Sequence, residues 1–259
     1  MTLRTLTEGK AAGAANMSRD GTLARRLEGG GIPPTVRIYG WEPPAVSIGY
    51  HQQEEDFDAE GLARAGIDLV RRPTGGRAIL HWHEVTYCAV IPLSCGPPRA
   101  IYRMINEALI VGIRAMGIPA ELSCSGGDLR QAYGTAAGIP CFSFSVKSEI
   151  QVGGRKIVGS AQRRFGRTVL QHGSFLLGTR HRDLARFVRP AGHRSADGIG
   201  ADLASRTTEA ETVLGRPVTF EEAAGALAAG FELYFSRTPE NPGTPEVPGA
   251  VPSSLTLQA

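Results

Sequence analysis

The sequence predicts an α+β fold with mostly antiparallel or mixed β-sheets flanked by helices. Runs of alternating apolar and polar residues, typical of strands, occur early in the chain and again in its second half. Two-residue glycine turns separate several of these runs, as they do in hairpins. Helical patterns lie beside the strand runs and do not alternate strictly with them, which argues against a parallel βαβ sheet.

The first part of the chain predicts a helix followed by strands. Residues 1–12 are polar, and we expect them to be loose, whereas the apolar spacing at Met17, Leu23 and Leu27 predicts a helix over 14–27. Alternation predicts a strand pair at 35–41 and 45–51, joined through Pro43-Pro44. A short helix over 57–65 follows, ended by Gly66.

The segment 70–92 predicts a strand, a glycine turn and a second strand. Two adjacent glycines, Gly75 and Gly76, allow backbone N–H groups to approach a ligand closely. Arg72 and Arg77 flank the turn, and this combination suits an anionic or strongly polar acyl head group. The alternative is an ordinary β-turn with solvated arginines.

The remaining sequence predicts one long helix, a short strand, a block of three strands joined by hairpin turns, and then two helices separated by a loop. The helix covers 97–116 and packs one face on a sheet, and a strand over 120–124 precedes a glycine-rich irregular segment. Thr219 and Glu222 form a capping box for the last helix. The predicted strands are 145–152, 155–165 and 168–177; the later segments are a helix over 183–189, a loop over 191–206, and a helix over 220–235.

Composition excludes several classes of function. A net charge of +3 over 259 residues does not indicate a nucleic-acid partner, and no apolar run reaches the ~18 residues of a membrane span. The four cysteines form no CxxC pair, so we expect no zinc or redox framework and a reduced, cytoplasmic setting. The N-terminus shows no signal peptide. His81 and His83 share a predicted strand face, but no third metal ligand is evident.

Four sequence blocks carry a resemblance to a known family. The chain resembles the biotin/lipoate protein ligase superfamily, and within it the lipoate ligase and octanoyltransferase branch. The blocks are Asn16-Met17 with Asp20; Arg37 to Pro44 with Ser47 to Tyr50 and Gln52; Arg71 to His81; and Gly154 to Arg164 with Gln171 to Ser174. The resemblance implies that residues 16–236 form the catalytic domain, and the proline-rich composition of 237–259 predicts a disordered tail.

The resemblance implies an octanoyltransferase that carries the acyl group as a thioester. Cys141 lies ahead of the lysine motif, where cysteine-dependent transferases of this family place their nucleophile, and Lys156 is the cation expected to assist it. His172 is a candidate proton shuttle or a structural histidine. The residues expected to bind substrate are Arg72, Thr74, Gly75, Gly76, Arg77, Ala78, His81, Gly159, Ser160, Ala161, Gln162, His172 and Gly173.

The implied partners are protein substrates, with no metal or cofactor. The donor is acyl carrier protein, and the acceptor is a lipoyl domain or a glycine cleavage H-type protein. An apolar tunnel for the chain is expected from the opening helix and from Val46, Ile48 and Ile79. Two alternatives stay open: an ATP- and Mg-dependent lipoate ligase in which Lys156 contacts the adenylate, and a non-catalytic module that binds lipoyl domains.

Overall fold

The computed structural model describes residues 2–123, 149–189 and 195–237. The strands are β1 (Arg4–Ala11), β2 (Thr35–Trp41), β3 (Ala45–Ile48), β4 (Asp68–Arg71), β5 (Ile79–His81), β6 (Glu84–Pro92), β7 (Glu121–Leu122), β8 (Ile150–Val152), β9 (Arg155–Phe165) and β10 (Thr168–Leu176). The α-helices are α1 (Gly13–Glu28), α2 (Ala59–Arg64), α3 (Pro98–Ala115), α4 (Ala196–Arg206), α5 (Ala210–Leu214) and α6 (Phe220–Arg237). Three 3₁₀ helices cover Glu54–Asp56, Leu93–Cys95 and Thr179–Phe187 in these ranges.

Two mixed sheets form the framework and confirm the predicted α+β class. The larger sheet has the order β1-β2-β6-β10-β9-β8-β7, and the smaller has the order β4-β3-β5. The β1–β2 and β3–β4 pairs are parallel, and the other neighbours are antiparallel.

The N-terminal residues form a strand, so the prediction that 1–12 are loose was wrong. β1 lies parallel to β2, with Arg4 opposite Thr35 and Ala11 opposite Trp41. Only one edge of β1 is paired with β2, and most of its residues are half-buried or exposed. A polar composition is compatible with such an edge strand, because pairing depends on its backbone groups.

The strands after β1 were recognised from sequence, but several of their partners were not. β2 and β3 lie in different sheets and do not form the predicted pair. β4 and β5 do not pair with each other, because each lies along one edge of β3. The second strand predicted within the segment 70–92 is in fact two strands, β5 and β6, separated at Trp82 and His83. Alternation is a local property, whereas the choice of partner depends on burial across the whole fold.

In the second strand block, β9 and β10 agree with the prediction, whereas β8 begins at Ile150 and the predicted strand residues 145–148 lie outside the described ranges. β8, β9 and β10 are consecutive antiparallel neighbours. Gly153 and Gly154 join the first two strands with φ values of 54° and 76°, and Gly166 opens the next turn with φ 53°. Positive φ at consecutive turn positions is the geometry that favours glycine in two-residue hairpins.

The predicted long helices are present, and two later segments differ. Thr219 Oγ1 accepts a hydrogen bond from Glu222 N at 3.1 Å, whereas the Glu222 carboxylate pairs with Arg216, so only half of the predicted capping box forms. The helix over 183–189 is the 3₁₀ helix Thr179–Phe187, and most of the predicted loop over 191–206 is α4. Ser195 caps α4, and two apolar residues four positions apart, Ile199 and Leu203, are buried.

Apolar cores on the two faces of the large sheet determine where the site lies. α3 and α6 cover one face with the largest cluster, centred on residues such as Tyr87 and Phe231. α1 packs on the other face through Leu23 and Ala24. The small sheet forms a separate core with the 3₁₀ helix Thr179–Phe187 and with α4. Within the three described ranges, no helix is both long and apolar enough to cross a membrane.

α3 and α6 approach each other closely at Gly112 and Gly230, and this yields a stability prediction. A Cβ at Gly112 would lie 2.3 Å from Ala226 O. We expect Gly112→Ala to lower the free energy of unfolding by about 1–3 kcal/mol, since the backbones would have to separate. Gly225→Ala is the control: its added Cβ meets nothing within 4 Å. Alanine there should stabilise α6 by up to about 1 kcal/mol. Urea unfolding measures both, and equal effects would contradict the close contact.

Candidate functional site

A cavity lies between the two sheets, beneath α1. Its empty volume is about 340 Å³, part of which opens to solvent. The lining residues are Met17, Tyr39, Trp41, Ser47, Arg72, Ile79, His81, Thr86, Gly159, Ser160, Ala161, His172, Gly173 and Ser174. Six of the residues predicted to bind substrate besides His172 therefore meet here: Arg72, His81, Gly159, Ser160, Ala161 and Gly173.

The alternation of β3 decides which of its side chains reach the cavity. Ser47 lines it, whereas its neighbours Val46 and Ile48 are buried in the core of the small sheet. The expected apolar wall is thus confirmed for Ile79 and for the opening helix, through Met17, and is wrong for Val46 and Ile48. Successive residues of a strand face opposite sides, so one wall cannot contain all three members of this strand.

The glycine loop is pressed against the end of β3. An added Cβ at Gly49 would lie 2.0 Å from Gly76 O, and Tyr50 N donates to Thr74 O at 2.9 Å. Gly76 has a φ of 86°, a backbone conformation that residues with a side chain rarely adopt. An added Cβ at Gly75, by contrast, meets nothing within 4 Å. Gly49 and Gly76 are therefore required by close approach and backbone conformation, whereas Gly75 leaves open space.

Arg72 holds this loop in shape through its guanidinium. The group is buried and donates to Arg77 O at 2.7 Å, to Gly75 O at 2.9 Å and to Ser47 O at 3.0 Å. The planar fork of arginine satisfies three carbonyls at once. The predicted contact of Arg72 and Arg77 with an anionic group stays a prediction; Arg77 and Ala78 are buried beside this loop.

His172 connects the glycine loop to the opening helix. Its Nε2 lies 2.6 Å from Thr74 Oγ1, and its Nδ1 lies 3.2 Å from Asp20 Oδ2. Because a carboxylate only accepts, we assign the proton to Nδ1, so that Nε2 accepts from the Thr74 hydroxyl. Burial lowers the pKa of His172 below its usual value, and the nearby Asp20 opposes this shift. The imidazole is therefore neutral at pH 7.

Asp20 accepts hydrogen bonds from three side chains on this side of the sheet. Besides His172, Asp20 accepts from Arg37 Nη1 at 2.9 Å and from the Tyr39 hydroxyl at 2.8 Å. The sequence reasoning used Asp20 and Arg37 only as parts of a resemblance. For Arg37 the sequence contains a signal, because this charged residue lies between the apolar residues Val36 and Ile38 in a predicted strand. The structure shows that this strand is buried throughout.

His81 belongs to a second buried polar group at the cavity wall. Its Nε2 lies 2.7 Å from Ser47 Oγ, and its Nδ1 lies 3.0 Å from Glu84 Oε1. The ring stacks on Trp41, with the ring centres 4.0 Å apart. The prediction that His83 shares a strand face with His81 was wrong, because β5 ends at His81. His83 is partly exposed and contacts Glu211. No cluster of three or more metal-ligating side chains occurs in residues 2–123, 149–189 and 195–237.

Some residues of the lysine motif, Gly154 to Arg164, line the cavity and others do not. Gln162 does not line the cavity: its amide donates to Pro98 O at 3.1 Å and to Gln171 Oε1 at 3.2 Å. Lys156 is buried and is therefore not a surface lysine. Its Nζ lies 2.7 Å from Glu149 Oε1, and Lys156 is not among the cavity residues.

The predicted nucleophile, Cys141, lies outside the described residues, as does Cys124. Cys88 is fully buried in β6, where burial raises the pKa of its thiol well above the usual value. Burial also raises the pKa of Cys95. Both shifts disfavour the reactive thiolate, so neither residue suits the role assigned to Cys141.

The structural role of the Arg72 guanidinium can be tested by replacing it with an ammonium, which keeps the positive charge but has no planar fork of donors. We expect Arg72→Lys to destabilise the protein by about 2 kcal/mol or more, since one ammonium cannot serve three fixed carbonyls. Arg64→Lys is the control, because Arg64 is exposed and pairs only with the exposed Glu60. It should change stability by less than about 0.5 kcal/mol. Urea unfolding at pH 7 decides, and equal losses would refute the structural role.

The neutral His172 predicts a loss of stability in acid. Its folded pKa lies below the ordinary value of 6.5, so the unfolded chain binds more protons as the pH falls through 6.5. Stability should therefore fall between pH 7 and pH 5. His181, whose pKa burial lowers to about 4, contributes in the same direction. Urea unfolding of His172→Gln should show lower stability at pH 7 and a smaller further loss at pH 5. An unchanged pH dependence in this variant would contradict the assignment.

Comparison with known proteins identifies the family. The lipoyl protein ligase A/B catalytic domain matches residues 12–232. The chain is 42% identical over 233 residues to an octanoyltransferase LipM of Symbiobacterium thermophilum, covering 88% of this chain and 84% of that protein. It is 40% identical over 241 residues to the LipM of Moorella thermoacetica, covering 91% and 86%.

Solved structures support the same fold. A bipartite lipoate protein ligase of Thermoplasma acidophilum superposes with a TM-score of 0.70 at 22% identity, covering 91% of this chain and 84% of that one. A putative lipoate protein ligase of the same organism with bound lipoic acid gives 0.69 at 24% identity, covering 91% and 87%. From the match across 12–232 and the LipM relatives, the chain belongs to the lipoyl protein ligase A/B catalytic domain family.

Proposed function

We propose that this chain is an octanoyltransferase of protein lipoylation. The observation that carries this proposal is its similarity to LipM octanoyltransferases over most of both chains. The proposed reaction moves an octanoyl group from acyl carrier protein to a lysine of a lipoyl domain or of a glycine cleavage H-type protein. Cytoplasmic location belongs to the same proposal.

The cavity supports an acyl substrate. Met17, Trp41 and Ile79 provide apolar surface, and Arg72 and residues of β9 line the same cavity. Burial of each methylene contributes about 0.8 kcal/mol, so a medium-length chain gains substantial affinity from such a site. His81 forms part of the same wall, and both of its ring nitrogens have polar partners, Ser47 and Glu84.

The proposed chemistry has two acyl-transfer steps. The Cys141 thiolate attacks the thioester carbonyl of the donor, and the carrier thiol leaves with a proton. The acceptor lysine, as a neutral amine, then attacks the enzyme thioester, forming an amide and releasing Cys141. Backbone N–H groups of Gly75–Ala78 or Ser160–Gln162 would stabilise the oxyanion, together with the Lys156 ammonium. These steps require no metal or nucleotide.

The identity of the acceptor has support from one structural relative. The Thermoplasma acidophilum ligase is described together with its E2 lipoyl domain. A lipoyl domain is therefore our proposed acceptor. The donor follows from the transferase chemistry, since a thioester donor allows transfer without ATP.

Two other functions make different predictions. An ATP- and Mg-dependent lipoate ligase would release pyrophosphate and use Lys156 at the adenylate, with Cys141 incidental. The ligase neighbours below 25% identity share the fold, whereas the more similar relatives are octanoyltransferases. A module without catalysis would bind lipoyl domains without modifying them.

The proposal predicts an acyl-enzyme that can be detected from the mass of the intact protein. Incubation with octanoyl-acyl carrier protein, without ATP, should add one octanoyl group to the intact protein, because Cys141 exchanges one thioester for another. Hydroxylamine should remove the adduct. Cys141→Ser should abolish it, while Cys88→Ser, which changes a buried thiol, serves as the matched control and should keep it in the folded fraction.

Other outcomes identify the alternatives. Absence of an adduct, together with modification of a lipoyl domain once octanoate, ATP and Mg are added, would favour the ligase. Binding of the lipoyl domain without modification under either condition would favour the non-catalytic module. An adduct that survives in Cys141→Ser would refute the assigned nucleophile.

A further inference from the structure

Lys156 forms a buried ion pair that the proposed mechanism does not explain. Its Nζ lies 2.7 Å from Glu149 Oε1, and the two side chains are 7% and 6% exposed. Two charges at this depth lose most of their hydration, so each depends on the other. Glu149 carried no role in the sequence analysis.

The backbone fixes Glu149 in place. Ser123 N donates to Glu149 O at 2.8 Å, and β8 begins at the next residue. β8 pairs with β9 with a register shift between Ile150 and Gln151, and Gln151 lies opposite Lys156. The backbone of Glu149 is therefore held by the sheet at a set position relative to Lys156, within reach of its ammonium.

The Glu149 carboxylate has an electrostatic neighbour besides Lys156. Tyr102 on α3 interacts electrostatically with this carboxylate, but burial raises the pKa of its phenol, which is neutral at pH 7. Glu149 Oε2 is buried and finds no hydrogen-bond partner within the described part of the chain. The carboxylate is thus not shared with a second cation there, and its negative charge acts on Lys156.

A buried ammonium without a counter-charge loses either its proton or its position. Desolvation favours the neutral amine, and a long lysine side chain can turn toward solvent when nothing holds it. Either change would remove the cation from the reaction site. The carboxylate of Glu149 opposes both changes by attraction and by a charge-assisted hydrogen bond.

We propose that Glu149 is a positioning residue that holds Lys156 as a charged, oriented ammonium for acyl transfer. This inference rests on the proposed octanoyltransferase function and on the role of Lys156 in it. Glu149 itself need not touch the substrate, because it acts through Lys156.

A double-mutant cycle tests the inference on the full-length protein. The measured quantity is the single-turnover rate of acyl-enzyme formation from octanoyl-acyl carrier protein, together with the donor concentration dependence and the melting temperature. We expect Glu149→Gln to lower the maximal rate by about tenfold or more, with little change in the donor concentration for half-maximal rate. Glu149→Asp should recover part of the loss.

The cycle is completed in a background without the lysine. If Glu149 acts through Lys156, adding Glu149→Gln to Lys156→Met should change the remaining rate by less than about twofold. Glu121→Gln is the matched control, since Glu121 is an exposed carboxylate on the adjoining β7 that contacts Gln151. It should keep a rate within about twofold of the wild type.

The possible results separate the inference from the function on which it rests. A wild-type rate in Glu149→Gln, or independent multiplicative losses in the double variant, would overturn the positioning role. If Glu149→Gln does not fold, the double variant, which removes both charges, provides the comparison with Lys156→Met. No acyl-enzyme from the wild type would instead refute the proposed octanoyltransferase function, and the inference with it.

Discussion

The buried carboxylate of Asp20 is the interaction on which the arrangement of the site depends. Asp20 and Arg37 are at most 1% exposed, and their ion pair joins α1 to β2. A buried ion pair contributes little unless its remaining donors and acceptors are satisfied. Here Asp20 also accepts from Tyr39 and His172, so the ion pair extends across the sheet to β10.

The glycine loop derives its position from this network. His172 transmits the constraint from Asp20 to Thr74, and Arg72 binds the carbonyls of Gly75 and Arg77 on the other side of the loop. The loop is thus fixed by polar side chains from separate strands. Such support holds backbone groups in one geometry, which is what oxyanion stabilisation requires.

The structure also separates the polar residues of the cavity wall from the buried ion pair of Lys156. Around the cavity, His172 and His81 have polar partners that keep the wall ordered while Met17, Trp41 and Ile79 provide apolar contact. Lys156 is not part of that wall and is held by Glu149. The residues that line the cavity and the residue that holds the Lys156 charge therefore differ, and mutations can separate them.

The sequence by itself determined the local elements. Alternation identified β2 and β9, glycine pairs identified the hairpin turns, and apolar spacing identified α1 and α3, because each signal depends on neighbouring residues. Of the residues that the sequence predicted to bind substrate, Arg72 and three residues of β9 line the cavity, whereas the glycines of the loop do not. Only the tertiary structure decided that β3 separates β4 from β5, that Ser47 rather than Val46 faces the cavity, and that Glu149 holds Lys156. Thr74 and His172 are 98 residues apart, and Asp20 and His172 are 152 apart. Contacts over such separations are selected by the burial and hydrogen bonding of the complete fold, and no local pattern specifies them.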